Sequence, residues 1–319
     1  MKDNRDKVFC DLRVATFYGF FPLEKANLNL LQLKLVTTAE EYDVRGSILL
    51  AIEGVNGTIC GSEEGISEIL KHISLYLDMD EVEIKYSWTE KQAFRRFKAK
   101  IKNEIVTMGI EGINPLKFSG TYIEPKEWNN YLEDPHTLVI DTRNEYEVRV
   151  GTFLGSVNPH TDIFRDFPSW VDNNLKALLK KNNATKIAMF CTGGIRCEKA
   201  TSYLKTKGFP EVHHLHGGIL RYLEEIPEED SKWNGECFVF DQRVSLNHKL
   251  SPGIHKLCYA CGMPLAPNDC DRAEYVSGIQ CHHCVNSFTD EDRARFAERQ
   301  KYIRAISKRQ PGNNQWPNA

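Results

Sequence analysis

The sequence predicts an α+β domain, then an α/β domain built on a parallel sheet, then a small cysteine-rich module. Three observations lead there. Strand-like and helix-like segments follow one another as βαββαβ over the first third of the chain, and short apolar runs then alternate with helical patterns from residue 138 onward. Two Cys-x-x-Cys pairs stand close to the C-terminal end.

Residues 14–20 are apolar and aromatic-rich, the composition of a strand. Residues 26–42 place Leu28, Leu31, Leu35 and Ala39 at helical spacing, with polar residues opposite. Residues 47–52 and 58–60 read as two strands joined by a turn of Glu53, Gly54, Val55, Asn56 and Gly57. A second helix covers 62–76, with Ser62 as its cap and Glu63 and Glu64 in the first turn, where the helix dipole favours acids. A strand over 82–86 completes the order of a ferredoxin-like (acylphosphatase-like) sandwich, four antiparallel strands with both helices on one face.

Residues 91–102 hold six cations (Lys91, Arg95, Arg96, Lys98, Lys100, Lys102) and no acid, with Phe94 and Phe97 interleaved. Two readings stand side by side. One is an edge strand kept soluble by its lysines. The other is a nucleic-acid contact in which Arg95, Arg96, Lys98 and Lys100 meet phosphates and the phenylalanines stack on bases.

A linker over 109–124, with Gly112, Pro115 and Gly120, leads to the second domain. The apolar runs 138–140, 186–190 and 212–215 have the character of buried parallel strands. They end in Asp141-Thr142-Arg143, in Cys191 and in His216-Gly217-Gly218, with helices expected from about 196 to 207 and from about 219. Sites of open α/β sheets lie beyond the carboxyl ends of the strands, so these three turns are expected to share one. Past Pro227 the chain reads as loop up to the cysteine cluster, and a helix starts near Thr289. The last nine residues, with two Pro and three Asn, are expected to be disordered. The expected domains are 1–110, 125–230 and 250–310.

Of 319 residues, 41% are hydrophobic and 27% charged, an ordinary globular composition. The net charge of −3 neither announces nucleic-acid binding nor excludes a local basic surface. The charged N-terminal stretch has no signal-peptide apolar region, and no run approaches the roughly 20 apolar residues of a membrane span. The expectation is a cytoplasmic protein without membrane contact. In that reducing compartment the ten cysteines are read as catalytic, metal-bound or buried, not as disulfides. Cys10, Cys60 and Cys237 stand alone and read as packing residues.

Cys191 is the lead residue of Cys191-Thr192-Gly193-Gly194-Ile195-Arg196, between a buried strand and a helix. Gly193 and Gly194 let the backbone curl so that successive N–H groups, from Thr192 to Ile195, form an anion nest. Arg196 adds positive charge, so Cys191 is expected to be a thiolate and a nucleophile.

Asp141-Thr142-Arg143 with Glu147, then Cys191-x-x-Gly194-x-Arg196, then His216-Gly217-Gly218 resemble the successive signatures of a rhodanese domain. Its sulfurtransferases carry a persulfide on a six-residue loop, the length found here, whereas the related phosphatases use seven. Three stretches narrow the resemblance: Ala51-Ile52-Glu53-Gly54-Val55-Asn56-Gly57-Thr58-Ile59, Lys100-Ile101-Lys102-Asn103-Glu104-Ile105-Val106-Thr107-Met108-Gly109, and the Cys191 loop continued through Cys197-Glu198-Lys199-Ala200. Together they resemble the bacterial rhodanese-domain tRNA uridine hydroxylases, which use molecular oxygen to form 5-hydroxyuridine at the wobble position. That resemblance implies an oxidoreductase acting on the tRNA anticodon loop, with Cys191 and Arg196 catalytic, Asp141 and Arg143 supporting, and no organic cofactor evident. Cys197 reads either as a resolving thiol for an oxidised Cys191 or as a residue of the helix–sheet interface. A thiosulfate-type sulfurtransferase and a non-catalytic rhodanese-fold binding module are the alternatives.

Cys258-x-x-Cys261, nineteen residues, then Cys281-x-x-Cys284 has the spacing of a four-cysteine structural zinc site, with Cys270, His282 and His283 near enough to substitute. Beyond it Arg293, Arg295, Arg299, Lys301, Arg304, Lys308 and Arg309 make a basic helix, either a solvated face or a phosphate contact through Arg299 and Arg304.

Overall fold

The computed structural model describes residues 12–76 and 82–309; Cys10 and the last nine residues lie outside them. The chain forms two compact units, Met1–Thr107 and Met108–Ala319.

In the first unit β1 (Leu12–Phe20) leads to α1 (Lys25–Glu41), β2 (Arg45–Ala51), β3 (Gly54–Gly61), α2 (Glu63–Ser74), β4 (Glu83–Thr89) and β5 (Phe97–Ile101). Ser62 caps α2 as expected, its hydroxyl accepting from the Gly65 N–H at 3.1 Å. Phe17, Ile48 and Ile59 on the sheet close over Leu31, Leu35 and Ile69 on the helices.

Two expectations are corrected. The hairpin turn is Ile52 and Glu53 alone, because Ala51 pairs with Gly54 and the next residues already belong to β3. Gly54 has φ +142°, and a Cβ there would stand 2.0 Å from the Gly19 carbonyl oxygen, so only glycine lets the strand pass. The sheet has five strands, in the order β4-β1-β3-β2-β5, with β5 parallel to β2. Phe97 and Ala99 pack onto the core while Lys98 and Lys100 alternate with them, the period-2 pattern of a half-buried edge strand.

In the second unit β6 (Thr121–Ile123), α3 (Pro125–Glu133), β7 (Thr137–Asp141), α4 (Glu145–Val148) and β8 (Gly151–Phe153) come first. The stretch expected to be linker thus contains an edge strand, three residues too short to show a period. The helical run of α5 (Phe167–Trp170), a π-helical turn Val171–Leu175 and α6 (Lys176–Lys181) follows. Next are β9 (Lys186–Phe190), α7 (Ile195–Thr206), β10 (Val212–Leu215) and α8 (Gly218–Glu225). The four-stranded sheet runs β6-β10-β9-β7, all parallel. Phe190, the last residue of β9, is fixed by an aromatic cluster: its ring meets Phe153 edge-on at 4.9 Å and Trp128 at 6.0 Å. The next residue is Cys191.

Beyond Pro227 the expected loop carries short paired strands: β11 (Trp233–Gly235) on β8, β12 (Cys237–Phe238) on β13 (Ser245–Leu246), and β14 (Lys256–Leu257) on β15 (Pro264–Leu265). The last element is α9 (Asp290–Arg309). Cys60 and Cys237 are buried among apolar side chains. No helix among the described residues is long and apolar enough to cross a membrane.

Candidate active site

Cys191 sits at the carboxyl end of β9, 1% exposed, and its loop curls directly into α7. Gly194 caps that helix with φ +109°, a conformation that points its N–H at the Cys191 sulfur, 3.1 Å away. Nothing lies within 4 Å of where a Cβ of Gly193 would stand, so the loop is open on that side. Loop carbonyls are drawn the other way. Those of Cys191 and Thr192 accept from the N–H groups of Ile219 and Leu220, at 3.0 and 3.1 Å. That approach needs Gly218, where φ is +66° and a Cβ would stand 2.5 Å from the Cys191 carbonyl oxygen. The His216-Gly217-Gly218 turn thus shapes the loop through its backbone. The His216 ring itself bonds to Glu124, at 2.6 Å.

Burial disfavours a charged sulfur at Cys191. Against it act the Cys197 S–H, the Arg196 charge and the backbone N–H groups of Cys197 and Gly194, and they pull the thiol down to about 6. Cys197 moves oppositely: burial and the negative charge of Cys191 push its thiol well up. It is fully buried, 3.5 Å from the Thr142 hydroxyl, and remains a proton donor to Cys191.

Arg196 grips Glu147 with both terminal nitrogens, at 2.6 and 2.7 Å, and that carboxylate is fully buried. Arg196 therefore acts on the sulfur through its field, with its hydrogen-bonding edge already committed. Glu147 also accepts from the Asn144 N–H at 3.1 Å, closing a capping box on α4, and from the Thr192 hydroxyl at 3.3 Å. Burial raises its carboxyl, but Arg196 and Arg143 outweigh that and hold it below the ordinary range.

Asp141 and Arg143, both with no exposure, form a closed ion pair at 2.7 and 2.9 Å. The Arg143 guanidinium also donates to the carbonyls of Glu147 and Gly151, at 3.4 and 2.6 Å. Their role is to brace α4, which carries Glu147, which in turn holds Arg196. Glu147 was visible as part of the rhodanese signature, yet its partner lies 49 residues away in sequence. The signal that could have found the pairing is an unopposed acid in the first turn of a very short helix.

The four cysteines Cys258, Cys261, Cys281 and Cys284 converge, with all sulfurs within 4.8 Å of one another. A metal bound to four thiolates at about 2.3 Å would set them about 3.8 Å apart. The Cys258–Cys284, Cys261–Cys281 and Cys281–Cys284 separations are 3.9, 3.8 and 3.8 Å, so the donor set fits a tetrahedral ion. Cys270, His282 and His283 are not part of it.

Two family models match. Residues 12–105 match the UPF0176 acylphosphatase like domain and residues 124–225 the rhodanese-like domain. A tRNA uridine(34) hydroxylase of Prochlorococcus marinus is 60% identical over 314 residues, covering 98% of each chain. The chain belongs to the tRNA uridine(34) hydroxylase family. A namesake from a second strain of that organism is 55% identical over 100% of this chain and 99% of its own, and one from Parasynechococcus marenigrum is 53% identical over 93% and 94%.

The two basic segments lie on the first domain and on α9. Arg95, Arg96 and Lys100 are exposed and Lys98 half-buried on the first domain, while Phe97 packs on the core and Phe94 on a small cluster with Val14 and Cys60. The interleaved phenylalanines are thus turned inward. In α9, Arg299 and Arg304 are both exposed, and Arg299 also donates to the carbonyls of Tyr259 and Gly278 at 2.8 and 3.1 Å and lies over the Phe296 ring. Arg299 ties the helix to the cysteine knuckles.

Proposed function

We infer that this chain hydroxylates uridine 34 of tRNA to 5-hydroxyuridine, with Cys191 as nucleophile and molecular oxygen as oxidant. One observation carries the reading: an acidified cysteine in a six-residue backbone cradle, on a chain similar end to end to proteins named for that reaction. The Cys191 thiolate adds to C6 of a splayed-out uridine, and C5 becomes enolate-like. Loop N–H groups stabilise the developing negative charge. C5 then bonds to dioxygen, and the Cys197 sulfur takes the distal oxygen as a sulfenic acid. Loss of the C5 proton expels Cys191 from C6, and Cys191 condenses with the sulfenic acid, releasing water. Uridine, dioxygen and two thiols give 5-hydroxyuridine, water and one disulfide, so atoms and electrons balance. An external thiol resets the pair.

In this reading Arg95, Arg96, Lys98, Lys100, Arg299 and Arg304 meet the tRNA backbone, and Asp141 and Arg143 position the loop. The four cysteines hold a structural zinc ion that folds a module over 250–310, since closed four-sulfur coordination leaves no open position. With tRNA as substrate, the activity belongs in the cytoplasm. The test is 5-hydroxyuridine in tRNA after reconstitution with wild-type and Cys191→Ala protein, with and without oxygen. Product is expected only from the wild type in oxygen. Product from Cys191→Ala overturns the reading, and sulfur transfer from thiosulfate to cyanide without hydroxylation replaces it with a sulfurtransferase.

A further inference from the structure

Two cavities of about 410 and 390 Å³ adjoin in the second unit, sharing Tyr146 and Met263 as lining residues. The larger is faced by Arg149, His255, His282 and His283, the smaller by Phe238 and Phe240. One groove therefore has a cationic, imidazole-rich end and an aromatic end. Phe240 is 63% exposed, a large apolar ring in water, held edge-on to Phe238 at 5.1 Å, which in turn meets Tyr146 at 5.4 Å. Scattered exposed apolar residues need no explanation, but this one ends a ladder of three rings.

The two acids that line the groove are already paired with arginines. Asp241 is gripped by Arg243 at 2.6 and 3.0 Å, and Asp269 lies 3.0 Å from Arg272. Arg149 leans on Glu145 at 2.9 Å yet remains 57% exposed. The His282 and His283 rings are stacked at a tilt, 3.8 Å between centroids. His282 Nδ1 is buried without a hydrogen-bond partner among the described residues, its nearest carboxylate 3.8 Å off. A buried ring nitrogen without a partner is costly, and a base edge, which carries both donors and acceptors, or a phosphate oxygen facing the N–H tautomer would supply one. The groove lies close to the candidate active site: Tyr146, which lines it, is next to Glu147 on α4 and feels the charge of Arg196, which Glu147 holds.

We propose that this groove is a second RNA site, which takes the single-stranded nucleotides flanking the target uridine, one base stacked on Phe240 and a phosphate at Arg149 beside His282 and His283. The inference rests on the tRNA reading and deepens it. Stacking on an aromatic ring plus a cation for the backbone is how single strands are held without sequence readout. The metal-binding knuckles then serve as one wall of the substrate channel.

The test measures equilibrium binding of a full-length tRNA transcript and of its isolated anticodon stem-loop to the complete, metal-loaded chain. Phe240→Leu keeps apolar bulk and loses the π-face, and binding should weaken about tenfold, as expected for one stacked base. Phe240→Tyr keeps the ring and should stay within about twofold of wild type. Arg149→Gln should reduce the salt slope of log K by about 0.7, one single-strand phosphate. Metal content and melting temperature, unchanged in all three, serve as the control for folding. Wild-type binding and salt slope in Phe240→Leu and Arg149→Gln, alongside normal Cys191-dependent hydroxylation, overturn the groove and leave the function reading standing. Weakened binding in those variants, alongside hydroxylation that survives Cys191→Ala, does the reverse.

Discussion

Replacing Glu147 by Gln removes one negative charge and keeps the side chain's shape. The native carboxylate has no exposure and accepts from Arg196 at 2.6 and 2.7 Å, from the Asn144 N–H at 3.1 Å and from the Thr192 hydroxyl at 3.3 Å. An amide keeps one acceptor oxygen. Its NH₂ group must then face an Arg196 nitrogen in either orientation, donor against donor, and in one of them the Asn144 N–H as well, and the buried guanidinium loses its counter-ion. Breaking a buried ion pair from one side costs about 3–5 kcal/mol. For a unit of this size that corresponds to a fall in melting temperature of roughly 6–20 °C. Thermal unfolding followed by tryptophan fluorescence reads it directly, since Trp128 and Trp233 lie in the same core as Phe190. The Cys191 thiol should be at least as acidic as in the wild type, because the positive charge beside it is no longer offset. A variant that melts within about 2 °C of wild type would refute the claim that Glu147 and Arg196 form a structural pair beneath the loop.

Alkylation of Cys191 by iodoacetamide should titrate with a midpoint at about 6, and Arg196→Gln should move it up toward the ordinary value of about 8.5. The folded thiol is more acidic than the unfolded one, so its contribution to stability is fully present above about pH 8.5 and lost as the pH falls through about 6. Cys281→Ser should abolish metal binding, measured by elemental analysis, and should speed proteolysis within residues 256–288 while leaving the first unit's melting unchanged. Gly218→Ala should lower the melting temperature by several degrees and slow Cys191 alkylation, because its Cβ would stand 2.5 Å from the Cys191 carbonyl oxygen. Cys197→Ala should release less than one 5-hydroxyuridine per chain in a single turnover without added thiol, read by mass spectrometry of the nucleosides.

The Cys191 loop was legible because its chemistry is local: a fixed spacing of Cys, Gly, Gly and Arg between an apolar run and a helix. The four converging cysteines were legible for the same reason. Contacts between distant segments were not. Nothing near Arg299 in sequence indicates that its guanidinium serves two carbonyls, those of Tyr259 and Gly278. Nothing around Phe94 and Phe97 says which way an edge strand faces, and both turned inward. Strand β6 has three residues and no readable period, and pairing with β10 alone defines it. The Arg196–Glu147 pair hid in the open, since each residue already had a reading of its own, one as the charge beside the anion nest and one as part of the rhodanese signature.

The backbone contact between α8 and the Cys191 loop has a thermodynamic consequence. Two loop carbonyls, the negative ends of their peptide dipoles, are pinned away from the sulfur by Ile219 and Leu220. The N–H groups of Gly194 and Cys197 face it before any substrate arrives. The reorganisation that water would undergo around a forming anion has already been met in folding, so the site is preorganised. Reactivity at Cys191 is then set partly by a turn that never touches the reacting atoms, and a one-residue insertion after His216 should retune it as surely as a change in the loop itself.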